Sequence, residues 1–225
     1  MIPWVHLDTA VVPDGGGELR LMQRGAEFSI MSGAIELMSS RVSGSEKALA
    51  TLACGRLRAP SKAQVLIGGY GMGFTLRAAL ESLPPTARVT VGELVPAVIA
   101  WARGPMGHMS AGCLEDPRLT LVEGDVGDLI RAGRESYDAI LLDVDNGPES
   151  LSRPANDGLY SGEGLAAARR ALRPGGVLAV WSAIRDDQFT RRLRRAGYEV
   201  EEIGVRATGG KRGARHVIWL AAKPA

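Results

Sequence analysis

The sequence predicts an α/β protein: a mostly parallel sheet of seven strands, ended by a C-terminal antiparallel hairpin and preceded by a small N-terminal β domain. Three observations predict it. Between Gln64 and Gly197 apolar strand-like runs alternate with helix-like segments five times. The tail, "YEVEEIGVRATGGKRGARHVIWLAAKP", holds two strand-like runs around a glycine-rich basic turn, and residues 18–41 alternate with period two before the helices begin.

Taken in order, "ELRLMQRGAEFSIMSGAIELMSSR", Glu18 to Arg41, carries turn clusters at Arg24-Gly25 and Ser32-Gly33 and reads as short antiparallel strands joined by hairpins. "SEKALATLACGRL" reads as a helix, capped by Ser43 or Ser45 and finished before Pro60. The character of the chain changes there, so residues 1–58 are expected to form the β appendage with its linking helix and residues 59–225 the larger domain. The strands of that domain are "QVLIGG", "RVTVGEL", "RLTLVEGD", "YDAILLDVD" and "VLAVWSA". Its helices are "FTLRAALESL", "PAVIAWARG", "VGDLIRAG", "GEGLAAARRAL" and "DQFTRRLRRAG". Strand followed by helix, repeated, implies a parallel sheet covered on both faces.

Composition narrows the function. With 225 residues, 45% of them apolar, the chain can bury one sizeable core. A net charge of +2, at a sequence pI of about 8.7, gives no global field for nucleic acid. The basic stretches Arg191 to Arg195 and Gly209 to Arg215 lack interleaved aromatics, and read as a solvated helix face and a charged turn. No apolar run approaches the roughly 20 residues that span a bilayer, and the N-terminus does not read as a signal peptide, so a cytoplasmic protein without membrane contact is expected. Cys54 and Cys113 read as ordinary thiols. His6, His108 and His216 are scattered, so no metal site is expected.

In open parallel sheets, ligands bind at the carboxyl ends of the strands, closest to the loop after the first. Here that loop is "GGYGMG". Gly69, Gly71 and Gly73 make G-x-G-x-G, while Phe74 breaks the dinucleotide spacing G-x-G-x-x-G, which favours S-adenosylmethionine. The glycines allow main chain to run against the ligand, and N–H groups at the helix start offer donors. Glu93, ending the second strand beside Leu94, can accept both ribose hydroxyls. Asp125, ending the third, can accept the adenine amino hydrogen while the backbone at Val126 meets the ring; alternatively it is a plain helix cap. Asp143 and Asp145 end the fourth strand, where the reactive carbon of a sulfonium ligand would lie. A carboxylate there can serve as base for an attacking nucleophile or attract a cationic amine. Tyr70 and Met72 can touch the sulfonium or face solvent, Trp181 can border an acceptor pocket, and Trp101 and Trp219 read as core.

Together "VLIGGYGMGFTLR", "VTVGELVPAVI", "DPRLTLVEGD", "YDAILLDVDNGP" and "LYSGEGLAAARRALRPGGVLAVW" resemble the spermidine synthase family. The resemblance implies the Rossmann-like methyltransferase fold, a small N-terminal β domain, an adenosyl sulfonium ligand and a homodimer. It matches Glu93 to the ribose-binding acid, Asp125 to the adenine-binding acid and Asp143 to the base for the attacking amine, and sets Tyr160 at an aromatic position beside the active site. The chain also departs from the family. The loop G-G-G-D-G-G, whose acid holds the donor's amino group, is here Gly68-Gly69-Tyr70-Gly71-Met72-Gly73; D-x-x-D becomes Asp143-Val144-Asp145-Asn146; and S-Y-H-E becomes Ser43-Gly44-Ser45-Glu46. The expectation drawn from those losses is methyl transfer from S-adenosylmethionine to a small-molecule acceptor. The alternatives are aminopropyl transfer from decarboxylated S-adenosylmethionine, with Asp145 or Glu36 replacing the missing anchors, and an adenosyl-binding protein without turnover.

Overall fold

Gln64–Gly68 forms the middle one of the five parallel strands of the larger sheet, and its three-residue apolar run suits a strand covered on both faces. Val65 and Ile67 enter one hydrophobic cluster and Leu66 the other, so alternate side chains serve helices on opposite faces. The computed structural model of the chain describes residues 2–144, 158–208 and 213–225. In chain order, an antiparallel sheet of β1 (Val5–Val11), β2 (Glu18–Arg24), β3 (Glu27–Ser32) and β4 (Ile35–Ser39) is followed by α1 (Gly44–Cys54). Then come β5 (Gln64–Gly68), α2 (Phe74–Ser82), β6 (Arg88–Glu93), α3 (Pro96–Arg103), the short α4 (Gly107–Ser110), β7 (Leu119–Glu123) and α5 (Val126–Ala132). The described chain continues with β8 (Tyr137–Leu142), α6 (Gly162–Ala171), β9 (Leu172–Ser182), α7 (Asp187–Arg195), β10 (Glu199–Arg206) and β11 (Arg215–Ala222).

The second sheet has seven strands in the order β10-β11-β9-β8-β5-β6-β7, with β5 to β9 parallel and β11 antiparallel to both of its neighbours. This is the expected α/β architecture with its terminal hairpin. From β5 the chain winds outward through β6 and β7, then returns to place β8 on the other side of β5. That reversal opens a crevice at the strand ends. No helix among the described residues is long and apolar enough to cross a membrane.

Two local expectations need correction. The first sheet begins with β1, ahead of the expected start at Glu18; its apolar residues Val5, Leu7 and Val11 are exposed and only Ala10 is buried. Ser43 occupies the N-cap of α1 without a side-chain cap bond, and Ser45 lies buried in the first turn with its hydroxyl spent elsewhere. Leu21, Phe28 and Ile30 of the first sheet share one core with Leu49 of α1, Leu76 of α2 and Val65 and Ile67 of β5. This packing lays the N-terminal sheet against the strand ends.

Candidate active site

A cavity of about 930 Å³, its open mouth included, lies at the carboxyl ends of β5, β6, β7 and β8. Gly69 and Gly71 line it, with Glu93, Leu94, Asp125, Val126 and Asp143 from the neighbouring strand ends. The outer wall comes from the first sheet and the turn between β1 and β2, including Val12, Leu19, Ile30, Leu37 and Met38.

The glycine loop fits tightly at two points. At Gly69, φ is +85° and an added Cβ would lie 2.6 Å from the backbone oxygen of Asp143; at Gly71, φ is +54° and a Cβ would meet the Met38 side chain at 2.4 Å. The first contact is with backbone and excludes a side chain, while the second is with the end of a flexible one. The strand ends are zipped together behind the loop, Gly69 N–H donating to Gly92 O at 2.8 Å and Asp143 N–H to Gly68 O at 3.1 Å. Gly73 does not line the cavity; it is the left-handed N-cap of α2 and packs against the Tyr70 hydroxyl. Tyr70 and Met72 are buried and absent from the cavity wall. Tyr70 turns into the core, its hydroxyl 3.8 Å from the Cys113 sulfur, which corrects both the sulfonium-facing and the solvent-facing readings.

Glu93 is buried, and one carboxylate oxygen accepts from Tyr70 N–H and the other from Val95 N–H, both at 2.9 Å. Removal from water raises its carboxyl above the usual range, while these N–H groups pull the other way. The N–H groups of Gly71 and Leu94 also act on this carboxylate, which lines the cavity wall. Asp125 caps α5, one oxygen accepting from Gly127 N–H at 2.7 Å, and still lines the cavity. Capping and ligand contact are therefore compatible at Asp125.

Asp143 lies where the fourth-strand acid is expected, and one of its oxygens accepts from the Thr75 hydroxyl at 2.5 Å. Burial, helped by the nearby charge of Glu46, pushes its carboxyl up to about 7, against the hydrogen bond from Thr75. Asp145 lies outside the described residues. Glu36 is ruled out as an anchor in the cavity: it accepts from Ser29, pairs with Arg41 and does not line the wall. Trp181 is buried and lies outside the cavity wall, with its indole edge against His216 at 4.9 Å between ring centroids. Tyr160 is buried, its hydroxyl donating to Val144 O at 3.5 Å. Trp101 and Trp219 are buried as read, and the thiols are buried too, Cys54 being pushed by burial up to about 11.

Sequence reasoning missed Glu46, Thr75, Ser45 and His216. Ser45 Oγ donates to Glu46 Oε2 at 2.7 Å, and His216 Nδ1 lies 2.9 Å from Ser45 Oγ. The one available signal was Glu46, retained with Ser43 where the Tyr and His of the family motif S-Y-H-E are replaced.

The model of the spermine/spermidine synthase domain matches residues 47–185, more than half of the chain. The chain belongs to the spermine/spermidine synthase family. Among its relatives, polyamine aminopropyltransferase 1 of Streptomyces coelicolor is 38% identical over 120 residues, spanning 52% of this chain and 22% of that protein. The polyamine aminopropyltransferase of Korarchaeum cryptofilum is 34% identical over 119 residues (53% and 35%), and putrescine N-methyltransferase 2 of Nicotiana tabacum 36% over 120 (53% and 32%). The matched part thus spans about a fifth to about a third of these relatives. A spermidine synthase in complex with the transition-state analogue AdoDATO superposes with a TM-score of 0.74 at 20% identity, covering 97% of this chain and 72% of that one. The enzyme from Thermotoga maritima gives 0.75 at 19%, with the same coverages. The relatives correct the expectation of methyl transfer: several of the most similar ones are aminopropyltransferases. A missing loop acid was too small a signal to set against the whole site, because donor choice depends on every charge around the cavity.

Proposed function

We propose that this spermine/spermidine synthase family member is an aminopropyltransferase that uses decarboxylated S-adenosylmethionine and a small amine acceptor. The observation that carries the reading is the charge of the cavity wall: Glu93, Asp125 and Asp143 line it, and no lysine, arginine or histidine does so among the described residues. A donor carboxylate would meet three acids and no cation there, and an unpaired carboxylate removed from water costs several kcal/mol. Decarboxylation removes that group and leaves a cation. In this reading Glu93 accepts the ribose hydroxyls, Asp125 takes the adenine edge, and the bare turn at Gly69 and Gly71 lets the adenosine approach main chain.

In the reaction so described, the acceptor nitrogen's lone pair forms the new N–C bond as the donor's C–S bond breaks. The sulfonium sulfur takes the bonding pair and leaves as a neutral thioether, and the alkylated nitrogen gives its surplus proton to Asp143. Displacement at a sulfonium needs alignment and a base of matched strength, and a carboxyl near 7 is matched to neutral pH. Isothermal titration with S-adenosylmethionine and with its decarboxylated form tests the reading. The decarboxylated donor is expected to bind at least about tenfold tighter, equivalent to about 1.4 kcal/mol; equal or reversed preference would overturn it.

A further inference from the structure

We propose that Thr75 is a positioning residue for Asp143: its hydroxyl holds one carboxylate oxygen, Oδ2, and leaves the other, Oδ1, to take the proton of the acceptor nitrogen. Thr75 lies in the first turn of α2 and is only 2% exposed. A buried helical threonine ordinarily returns its hydroxyl to the carbonyl three or four residues back, but among the described residues Thr75 makes no such bond. Its Oγ1 reaches across to two other elements instead. It donates to Asp143 Oδ2, just past the end of β8, at 2.5 Å, and lies 3.4 Å from the backbone oxygen of Glu46 on α1. A hydroxyl has one proton to give. A charged acceptor makes the shorter and stronger bond, so the carboxylate takes that proton and the Glu46 carbonyl is the weaker alternative.

Asp143 is thereby fixed at two points. Its main chain is tied to β5, the N–H donating to Gly68 O at 3.1 Å, and its side chain is tied to α2 through Oδ2. Oδ1 has no hydrogen-bond partner among the described residues, and Asp143 lines the cavity. The charged and titratable groups on the surrounding elements leave Thr75 this role. On α2, Arg77 is committed to Met109 O; on α1, Glu46 accepts from Ser45 and acts on Asp143 as a like charge, while the exposed Lys47 acts on Glu46. His216 of β11 meets Ser45, Glu93 and Asp125 line the same cavity, and Asp145 lies outside the described residues. None of the described groups hydrogen-bonds to the Asp143 carboxylate, so Thr75 is the donor that sets its rotation.

Resting on the aminopropyl reading for its catalytic meaning, this arrangement assigns the proton transfer an atom. As the acceptor nitrogen bonds to carbon, its N–H bond breaks, the electron pair stays on nitrogen and Oδ1 gains the proton. Thr75→Val keeps the shape of the side chain and removes the hydroxyl. In ligand-free, isotope-labelled protein followed by NMR, it is expected to raise the Asp143 carboxyl midpoint by about one pH unit, because a donor to the anion is lost, and Thr75→Ser is expected to return it. With the decarboxylated donor and putrescine or other primary amines, Thr75→Val should lower kcat about tenfold or more and move the acid limb of the rate profile upward with the NMR midpoint. Affinity for 5′-methylthioadenosine should change by less than about twofold. A threonine that only pins α2 to its neighbours would lose stability on substitution and leave midpoint and acid limb in place; that result overturns the proposal. Should Thr75→Val not fold, the native protein decides: the Thr75 Cβ signal should shift with the Asp143 midpoint and lose that response in Asp143→Asn. A Thr75 signal indifferent to that titration overturns the proposal as well. A raised midpoint with rescue by serine, but no turnover on any amine, would sink the functional reading and leave the placement of the carboxylate intact.

Discussion

Glu93 and Asp143 are both acids at strand ends in one cavity, yet their surroundings give them different work. Glu93 receives main-chain N–H groups at both oxygens, an arrangement that favours the anion and fixes an acceptor for hydroxyls. Replacing it by glutamine turns an amide donor toward one of those N–H groups. Charged hydrogen bonds are worth about 1.5–3 kcal/mol each, so Glu93→Gln should weaken binding of 5′-methylthioadenosine by about ten- to a hundredfold in calorimetry. Asp143 instead has one hydroxyl donor and a like charge. Its folded carboxyl is raised from 3.8 to about 7, so the folded state binds the proton more tightly than the unfolded one. The sign follows: stability is full below about pH 4 as far as this group is concerned, and is lost as pH rises toward 7. Asp143→Asn should therefore raise thermal stability at pH 8 and leave it nearly unchanged at pH 4, although activity is lost. Turnover of the native protein should fall as pH drops through about 7, where the base becomes protonated.

At the scale of the element, the loop between β5 and α2 separates two kinds of glycine requirement. Gly69 faces backbone that cannot yield, because Asp143 N–H is itself bonded to Gly68 O. Gly71 faces the end of a flexible methionine. Each alanine must also adopt a positive φ, at a cost of about 1–2 kcal/mol. Gly69→Ala should thus be the more destabilising of the two in chemical denaturation and should abolish adenosine binding. Gly71→Ala should recover part of its loss when Met38→Ala is added. The spacing of these glycines was legible because positive φ is a local demand. What they face was not, since Met38 and Asp143 arrive from opposite sides of the chain.

On the scale of the molecule, the N-terminal sheet completes the cavity, because its apolar face packs onto the same core as α1, α2 and β5. That sheet supplies an uncharged outer wall, so the cavity's only charges are acidic among the described residues. Introducing a cation there should reverse donor choice: Leu37→Lys should shift the ratio of affinities toward the carboxylated donor by about tenfold or more, read by titration with both forms. An unchanged ratio would mean that the donor's tail does not reach this wall.

The alternation of strands and helices, the five-strand parallel core, the glycine turn and the three acids at successive strand ends were all determined by the sequence itself. Each rests on local physics: the period of apolar residues, the backbone freedom of glycine, and an acid's place just past a strand. Only the tertiary structure decided that Tyr70 turns inward to Cys113, that Glu36 is spent on Arg41, and that Thr75 reaches Asp143. It likewise joined Ser45 to His216, 171 residues apart in the chain. Such pairings depend on how remote elements pack, and no residue pattern within one element specifies which distant side chain will face it.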